Sequence, residues 1–336
     1  MRNFIYRYSG IPRHSLVSQL ESCLAIGMTS ITTSSIQIVC DWAETGKISK
    51  PNEQRPTPLF VDCSTGSNRH LRLLSEQNMD DVLRRSESYS KAIVAMKLMD
   101  HYVRNNSGLQ QKHPGIQTQN DSTEWLNLLG DVLHRRIPES DLILGMIDTQ
   151  TNQLSGKLTE IFGEEYEPSI ILKNARANDN PVLRLAEGLT AMKHPGATHG
   201  LVVKLLDSGL MSDRPNGLSK KRSVARKVGP GSNVKRRVVR SIVFTDWLLD
   251  YLVHLHLSVK GGPDRHLSLQ DFLVELRNRH GLFIDQAPAG MDISNELLQL
   301  NRSWLERRLR DQGLLIGVND AESMKQLRSR FPNEEA

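Results

Sequence analysis

Between Asp213 and Asp246 the chain carries no carboxylate, yet it holds ten Lys or Arg: Arg214, Lys220, Lys221, Arg222, Arg226, Lys227, Lys235, Arg236, Arg237 and Arg240. Positive charge at this density repels itself and normally faces a polyanion. Phosphate contacts of that kind fix position and affinity rather than base sequence, and they weaken steeply with salt. An acidic patch on a partner protein would satisfy the same charge, and so would solvent. Gly217, Gly229, Gly231, Pro215 and Pro230 make much of the segment a flexible loop. Val239, Ile242, Val243, Trp247, Tyr251, Leu252 and Leu255 recur at helical spacing and predict one long helix from Asn233 to Ser258. Lys235, Arg236, Arg237 and Arg240 would then occupy its first turns, where cations oppose the macrodipole, a cost that phosphate contacts would offset.

A second group surrounds Cys63. Cys63-Ser-Thr-Gly66-Ser-Asn-Arg69 follows a short apolar run, PLFVDC, and precedes a helical pattern. In such a turn backbone amides hold a phosphate, an arginine grips it, and the field lowers a thiol pKa. The spacing resembles the C-x5-R loop of cysteine-dependent phosphatases. That resemblance implies Cys63 as nucleophile, Arg69 as phosphate clamp and Asp41 or Asp62 as general acid. Asp62 stands where that family has His, and His70 where it has Ser or Thr. A carboxylate beside the thiol raises its pKa, the wrong direction for a nucleophile. The structural alternative is a strand-to-helix turn in which Ser64 or Thr65 caps the helix and Arg69 pairs locally.

The C-terminal stretch suggests a scaffold for the basic segment. Helix over 268–280, a short strand at Gly281–Asp285, helix over 294–310 and a strand at Leu314–Val318 fit the outline of a winged helix. In that layout 294–310 is the recognition helix, with Asn301, Arg302, Arg307, Arg308 and Arg310 able to reach bases or phosphates. Leu297, Leu298, Leu300, Trp304, Leu305 and Leu309 demand a wide buried face on the same helix. The run NRSWLERRLRDQGLLIGVNDAESMKQLRSRF (301–331) resembles the tails of uncharacterised bacterial anti-phage defence-island proteins. The resemblance implies a prokaryotic, DNA-linked setting and no particular chemistry.

The chain has 336 residues, 38% of them hydrophobic and 24% charged, enough for packed cores and too ordered a mixture for general disorder. The formal charge of +5 comes from 43 basic and 38 acidic residues. Removing the ten cations of the basic segment leaves a body with more acid than base, so the charge is concentrated. No apolar run approaches the roughly 18 residues of a membrane span, and the N-terminus lacks a secretory pattern. Cys23, Cys40 and Cys63 fit a reducing cytoplasm. Walker, G-x-G-x-x-G, H-E-x-x-H and G-x-S-x-G patterns are absent, so no cofactor and no metal are expected. His254 and His256 lie two apart and read as structural; Asp80 and Asp81 read as surface or helix-terminal acids.

Most other segments repeat at helical spacing. Helices are predicted over 13–27, with Gly27 as C-cap, over 29–46, and over 69–85, continuing or restarting into 90–104. Residues 106–121 read as a linker. Further helices follow from Ser122, after Pro138 towards Phe162, over 181–193 and 199–210, with a possible strand at Ile170–Leu172, and AESMKQLRSRF closes the chain as a helix. The expected organisation is an N-terminal helical domain (1–105), a middle helical region (122–212) and a basic, winged-helix-like region (213–336). The fold class is mainly α. The expected function is a non-enzymatic DNA-binding subunit of a prokaryotic complex, with other protein subunits as further partners and no membrane contact. A protein-docking scaffold is the alternative and a Cys63 phosphatase the third reading.

Overall fold

The structure, a computed structural model, describes residues 11–49, 54–112, 121–174, 179–192, 195–226, 235–258, 266–317 and 325–331. The protein is mainly helical. Two compact units are each gathered from separate stretches of chain: Ser35–Gln54 with Leu83–Lys204, and Met1–Ser34 with Arg55–Val82 and Leu205–Ala336.

Among the described residues the first of these has helices and no strand. Two long helices, α1 (Arg13–Thr45) and α2 (Arg69–Arg104), contribute their C-terminal parts. Around these come α3 (Ser107–Lys112), α4 (Ser122–Leu133), α5 (Ser140–Phe162), α6 (Glu167–Lys173), α7 (Pro181–Met192) and the start of α8 (Pro195–Gly209). Trp42, Met99, Leu129, Leu133, Ile143, Ile147, Leu172 and Val182 are buried together in one apolar core. The two core indoles find acceptors for their N–H groups: Trp42 donates to the Leu126 carbonyl and Trp125 to Asp100, both at 2.7 Å. Gly130 lets α4 approach the Gly46 turn, where an added Cβ would lie 1.9 Å from the Gly46 oxygen.

Two expectations fail here for physical reasons. Gly27 does not end a helix: α1 runs through it, because a lone glycine costs only about 1 kcal/mol inside a helix. Ile170–Leu172 is helical within α6, with Ser169 hydrogen-bonded to the Ser155 carbonyl at 3.3 Å. α4 is capped by Asp121, whose carboxylate accepts from Thr123 N at 2.8 Å. The α1 helix is also long and apolar enough, by length and composition, to cross a membrane. Ala25, Ile26, Ile36 and Cys40 on it are nevertheless buried within the protein.

The second unit mixes helices with short strands. β1 (Leu59–Phe60) pairs in parallel with β4 (Leu282–Phe283), and Val61 bridges to Ile242. β2 (Ser219–Arg226) and β3 (Lys235–Ile242) form an antiparallel hairpin. The helices here are α9 (Asp246–Leu257), α10 (Leu269–His280) and α11 (Asn295–Asp311), followed by the antiparallel pair β5 (Leu315–Ile316) and β6 (Gln326–Leu327). Ser268 and Gly281 cap α10 as expected: Ser268 accepts from Asp271 N, and Gly281 is left-handed at φ 68°. The long helix over 233–258 is corrected. Its first half is β3, which pairs with β2 along its whole length, and a helix begins only after Thr245. β-branched Val238, Val239, Ile242 and Val243 suit a strand, and tertiary pairing overrode the helical spacing. The final predicted helix is not helical where it is described: Gln326–Leu327 form strand β6, and the segment's first residues lie outside the described ones.

Candidate nucleic-acid interface

The β2–β3 register places Lys221 directly opposite Arg240 and Arg222 opposite Val239. Like charges opposite one another across a ladder repel. Here a carboxylate sits with both. Asp207, at the end of α8, accepts Arg240 Nε at 2.5 Å and Nη2 at 2.8 Å, and lies 3.1 Å from Lys221 Nζ. Burial alone would raise the Asp207 carboxyl, but hydrogen bonds and charge from Arg240 and Lys221 hold it below its usual range. The Arg240 guanidinium is correspondingly held above its own, first by the hydrogen bonds to Asp207.

The other face of the hairpin meets α2. Arg222 grips Glu76 with both arms at 2.8–3.1 Å, and Arg237 reaches Asp80 at 2.8 Å. Asp80 is therefore a hairpin anchor within α2 rather than an idle acid. Lys221, Arg222, Arg237 and Arg240 are neutralised by carboxylates distant in sequence, so the inference of uncompensated charge holds only for the rest. Arg214 and Arg236 are exposed and make no ion pair among the described residues. Lys220 is exposed, and its Nζ donates to the Thr65 carbonyl at 3.3 Å. Arg226 and Lys235 pair as backbone at the far end of the hairpin; Lys227 lies outside the described residues.

The turn after β1 does not match the expected phosphate loop. Asp62 Oδ1 accepts from Ser64 N at 2.9 Å and Ser64 Oγ at 2.6 Å, while Oδ2 accepts from Gly66 N at 2.8 Å. The amides that would cradle an anion are thus filled by the chain's own carboxyl, which burial pushes above its ordinary value against those hydrogen bonds. Cys63 is fully buried, and desolvation drives its thiol pKa upward, away from thiolate. Arg69 is exposed at the start of α2, and Asp41 is paired with Arg85 at 2.9 Å. Asn68, rather than Ser64 or Thr65, caps α2 by accepting from His70 N and Leu71 N. Thr65 is left-handed at φ 54°, the conformation that delivers its carbonyl to Lys220.

α11 is pinned by Asn301, which is fully buried. Its side-chain amide donates to Val61 O at 2.8 Å and Ile284 O at 3.0 Å, and its oxygen accepts from Cys63 N at 2.9 Å. Asn301 is a clamp between β1 and the strand-like Ile284 segment, not a reader of base edges. Arg302 is mostly buried beside Glu306 at 3.3 Å. Arg308 donates to Phe244 O at 2.7 Å and pairs with Asp246 at 2.6 Å. Arg307 and Arg310 are exposed on this helix, and the Arg307 side chain is 71% accessible and 5.8 Å from the Trp304 ring centre.

These elements enclose a cleft of about 660 Å³, lined by Ser64, Thr65, Ser67, Pro215, Lys220, Phe244, Thr245, Asp246, Trp247, Trp304, Arg307, Arg308 and Asp311. Sequence reasoning found its cations but missed both tryptophans, which read as core residues. It also missed Glu76, Asp80 and Asp207. The four-residue spacing of Glu76 and Asp80 on one helix face was the available signal. His254 and His256 are buried and structural, bonded to Ser329 Oγ at 3.1 Å and His280 Nε2 at 3.0 Å.

Fold and site together define a mainly helical protein with a basic hairpin beside a cleft lined by Lys220, Arg307, Arg308 and two tryptophans. The chain belongs to the family described as methylation-associated defense system protein MAD7, whose model matches residues 1–331. Its role accordingly lies in a methylation-associated defense system. No curated protein and no solved structure matches it.

Proposed function

We propose that this chain is a DNA-contacting, non-enzymatic subunit of its defense system, acting in the cytoplasm with other subunits of that system. The observation that carries the reading is the convergence of Lys220 from β2 with Arg307 and Arg308 from α11 on a cleft that also holds two tryptophans. Arg236 is a further exposed cation at the far end of the same hairpin. The order of elements adds support for a winged-helix reading. Leu267 and Ser268, between α9 and α10, join β6 through Leu269 N to Lys325 O at 3.0 Å and Leu327 N to Leu267 O at 2.9 Å. Helix α10, short strand β4, helix α11 and the β5–β6 pair follow the helix–short strand–helix–strand outline read from the sequence. Because α11 is clamped through Asn301, the contacts favoured are to phosphates and to the cleft, not a helix laid along a groove.

The test is a salt titration of duplex DNA binding by the full chain and by a K220E/R236E/R307E variant. Three lost phosphate contacts should lower the log–log salt slope by about 3 and cut low-salt affinity by orders of magnitude. An unchanged affinity and slope would leave the protein-docking scaffold as the function.

A further inference from the structure

Of the chain's four tryptophans, Trp42 and Trp125 are core residues with their N–H groups bonded inside the helical unit. Trp247 and Trp304 differ. Both are only partly buried, and both line the cleft described above. We propose that this cleft holds one unpaired nucleotide of a DNA strand, its base against the indoles and its phosphate against Lys220 and Arg307. The inference rests on the DNA reading above and specifies what that site takes.

Size decides first. A duplex cannot enter a space of about 660 Å³, whereas small-ligand sites of roughly 300–1,000 Å³ suit a nucleotide. A base reaches such a site only when it is out of the stack, by flipping or in a single strand. Charge decides next. Lys220, Arg307 and Arg308 face Asp246 and Asp311 in the lining, so the cations exceed the carboxylates by one. That balance suits one backbone phosphate and opposes a triphosphate. Arg308 is already bonded to Phe244 O and Asp246, so it is fixed as part of the wall. Lys220 has only a carbonyl at 3.3 Å, and Arg307 is 71% accessible with Asp311 no closer than 3.8 Å. Those two cations can turn to a phosphate at little cost. The Arg307 guanidinium beside the Trp304 ring extends the stacking surface, since a planar cation and an indole both pack against a base. Thr245 caps α9 without covering its first-turn amides, because its hydroxyl donates to Gly217 O at 3.0 Å.

Full-length protein is titrated against three ligands at one low salt concentration: a fully paired duplex, the same duplex with a one-nucleotide bulge, and a free deoxynucleoside monophosphate. The bulged duplex should bind about tenfold or more tighter than the paired one, with quenching of tryptophan fluorescence. In W247A the ratio of the two affinities should fall to about one, and W247F, which keeps a ring, should restore it. Equal affinity for bulged and paired duplex overturns the inference while the DNA reading stands, and so does a preference that survives W247A. A monophosphate that binds as tightly as the bulged duplex overturns it in favour of a free nucleotide. Absence of binding to both duplexes removes the DNA reading and this inference together.

Discussion

The helical unit and the mixed unit are stabilised by different means. In the helical unit, side chains such as Leu129, Leu133, Ile143 and Ile147 are fully buried against one another, and buried hydroxyls such as Thr151, Ser155 and Thr190 bond to backbone carbonyls of the helices. In the mixed unit the joints are polar: Asn301 spans three backbone segments, Asp62 closes its own turn, and Asp207, Glu76 and Asp80 hold the hairpin. Apolar packing is tolerant of which neighbour supplies the surface, while a bidentate ion pair or buried amide fixes one geometry. The unit that needs a shaped cleft is the one built on fixed joints. The same joints consume most of the charge that a polyanion would otherwise meet.

The largest expected effect tests the apolar side. Leu129→Ala should destabilise the protein by about 4 kcal/mol, because a fully buried leucine leaves a cavity that its helical neighbours cannot close. Chemical denaturation measures it, and a loss under 1 kcal/mol would mean that this core is loosely packed. Asp207→Ala should follow at about 3 kcal/mol, since it strands Arg240, whose side chain is 9% exposed, opposite Lys221. Adding Lys221→Ala should recover part of that loss. If the double variant is no better than the single one, cross-strand repulsion is not what Asp207 relieves.

This contrast also explains what could be read from the sequence. Helical periodicity and caps are local, so α2, α5, α10 and α11 were legible along with Ser268 and Gly281. The basic segment was legible as charge but not as shape. Its helical spacing of Val239, Ile242 and Val243 matched a strand whose partner, Ser219–Arg226, looked like loop. Nothing local marked Asp207, Glu76 or Asp80 as its counterions, because they lie on helices apart from it in the chain. Asn301 looked like a base reader because an asparagine on a basic helix carries no sign that it is buried. The Cys63 pattern misled for a related reason: Asp62, one residue away, occupies the amides that the spacing seemed to offer a phosphate.

The two remaining predictions concern the mixed unit alone. His280 lies 3.0 Å from His256, with Arg279 and Glu275 nearby, and desolvation first, then Arg279, lowers its pKa to about 4. The unfolded chain therefore binds a proton below about pH 6.5 that the folded one refuses, so stability must fall with acid over that interval. At pH 5 the loss relative to pH 7 should be about 2 kcal/mol, and His280→Gln should flatten the profile. Asp207, whose folded pKa is depressed, adds a loss in the same direction at still lower pH. A profile that stays unchanged in the His280 variant would place the acid sensitivity elsewhere.

The smallest effect separates the exposed joint from the buried one. Arg237 and Asp80 form their pair with side chains 56% and 21% accessible, where solvent screens the attraction and two mobile side chains must be held. Arg237→Ala should therefore cost less than about 1 kcal/mol, against about 3 for the Asp207 joint on the opposite face of the same hairpin. It should also be more sensitive to salt, because only the exposed pair is reached by counterions. Equal costs for the two variants, measured by denaturation at low and high salt, would mean that the hairpin is held by its strand pairing and by neither set of carboxylates.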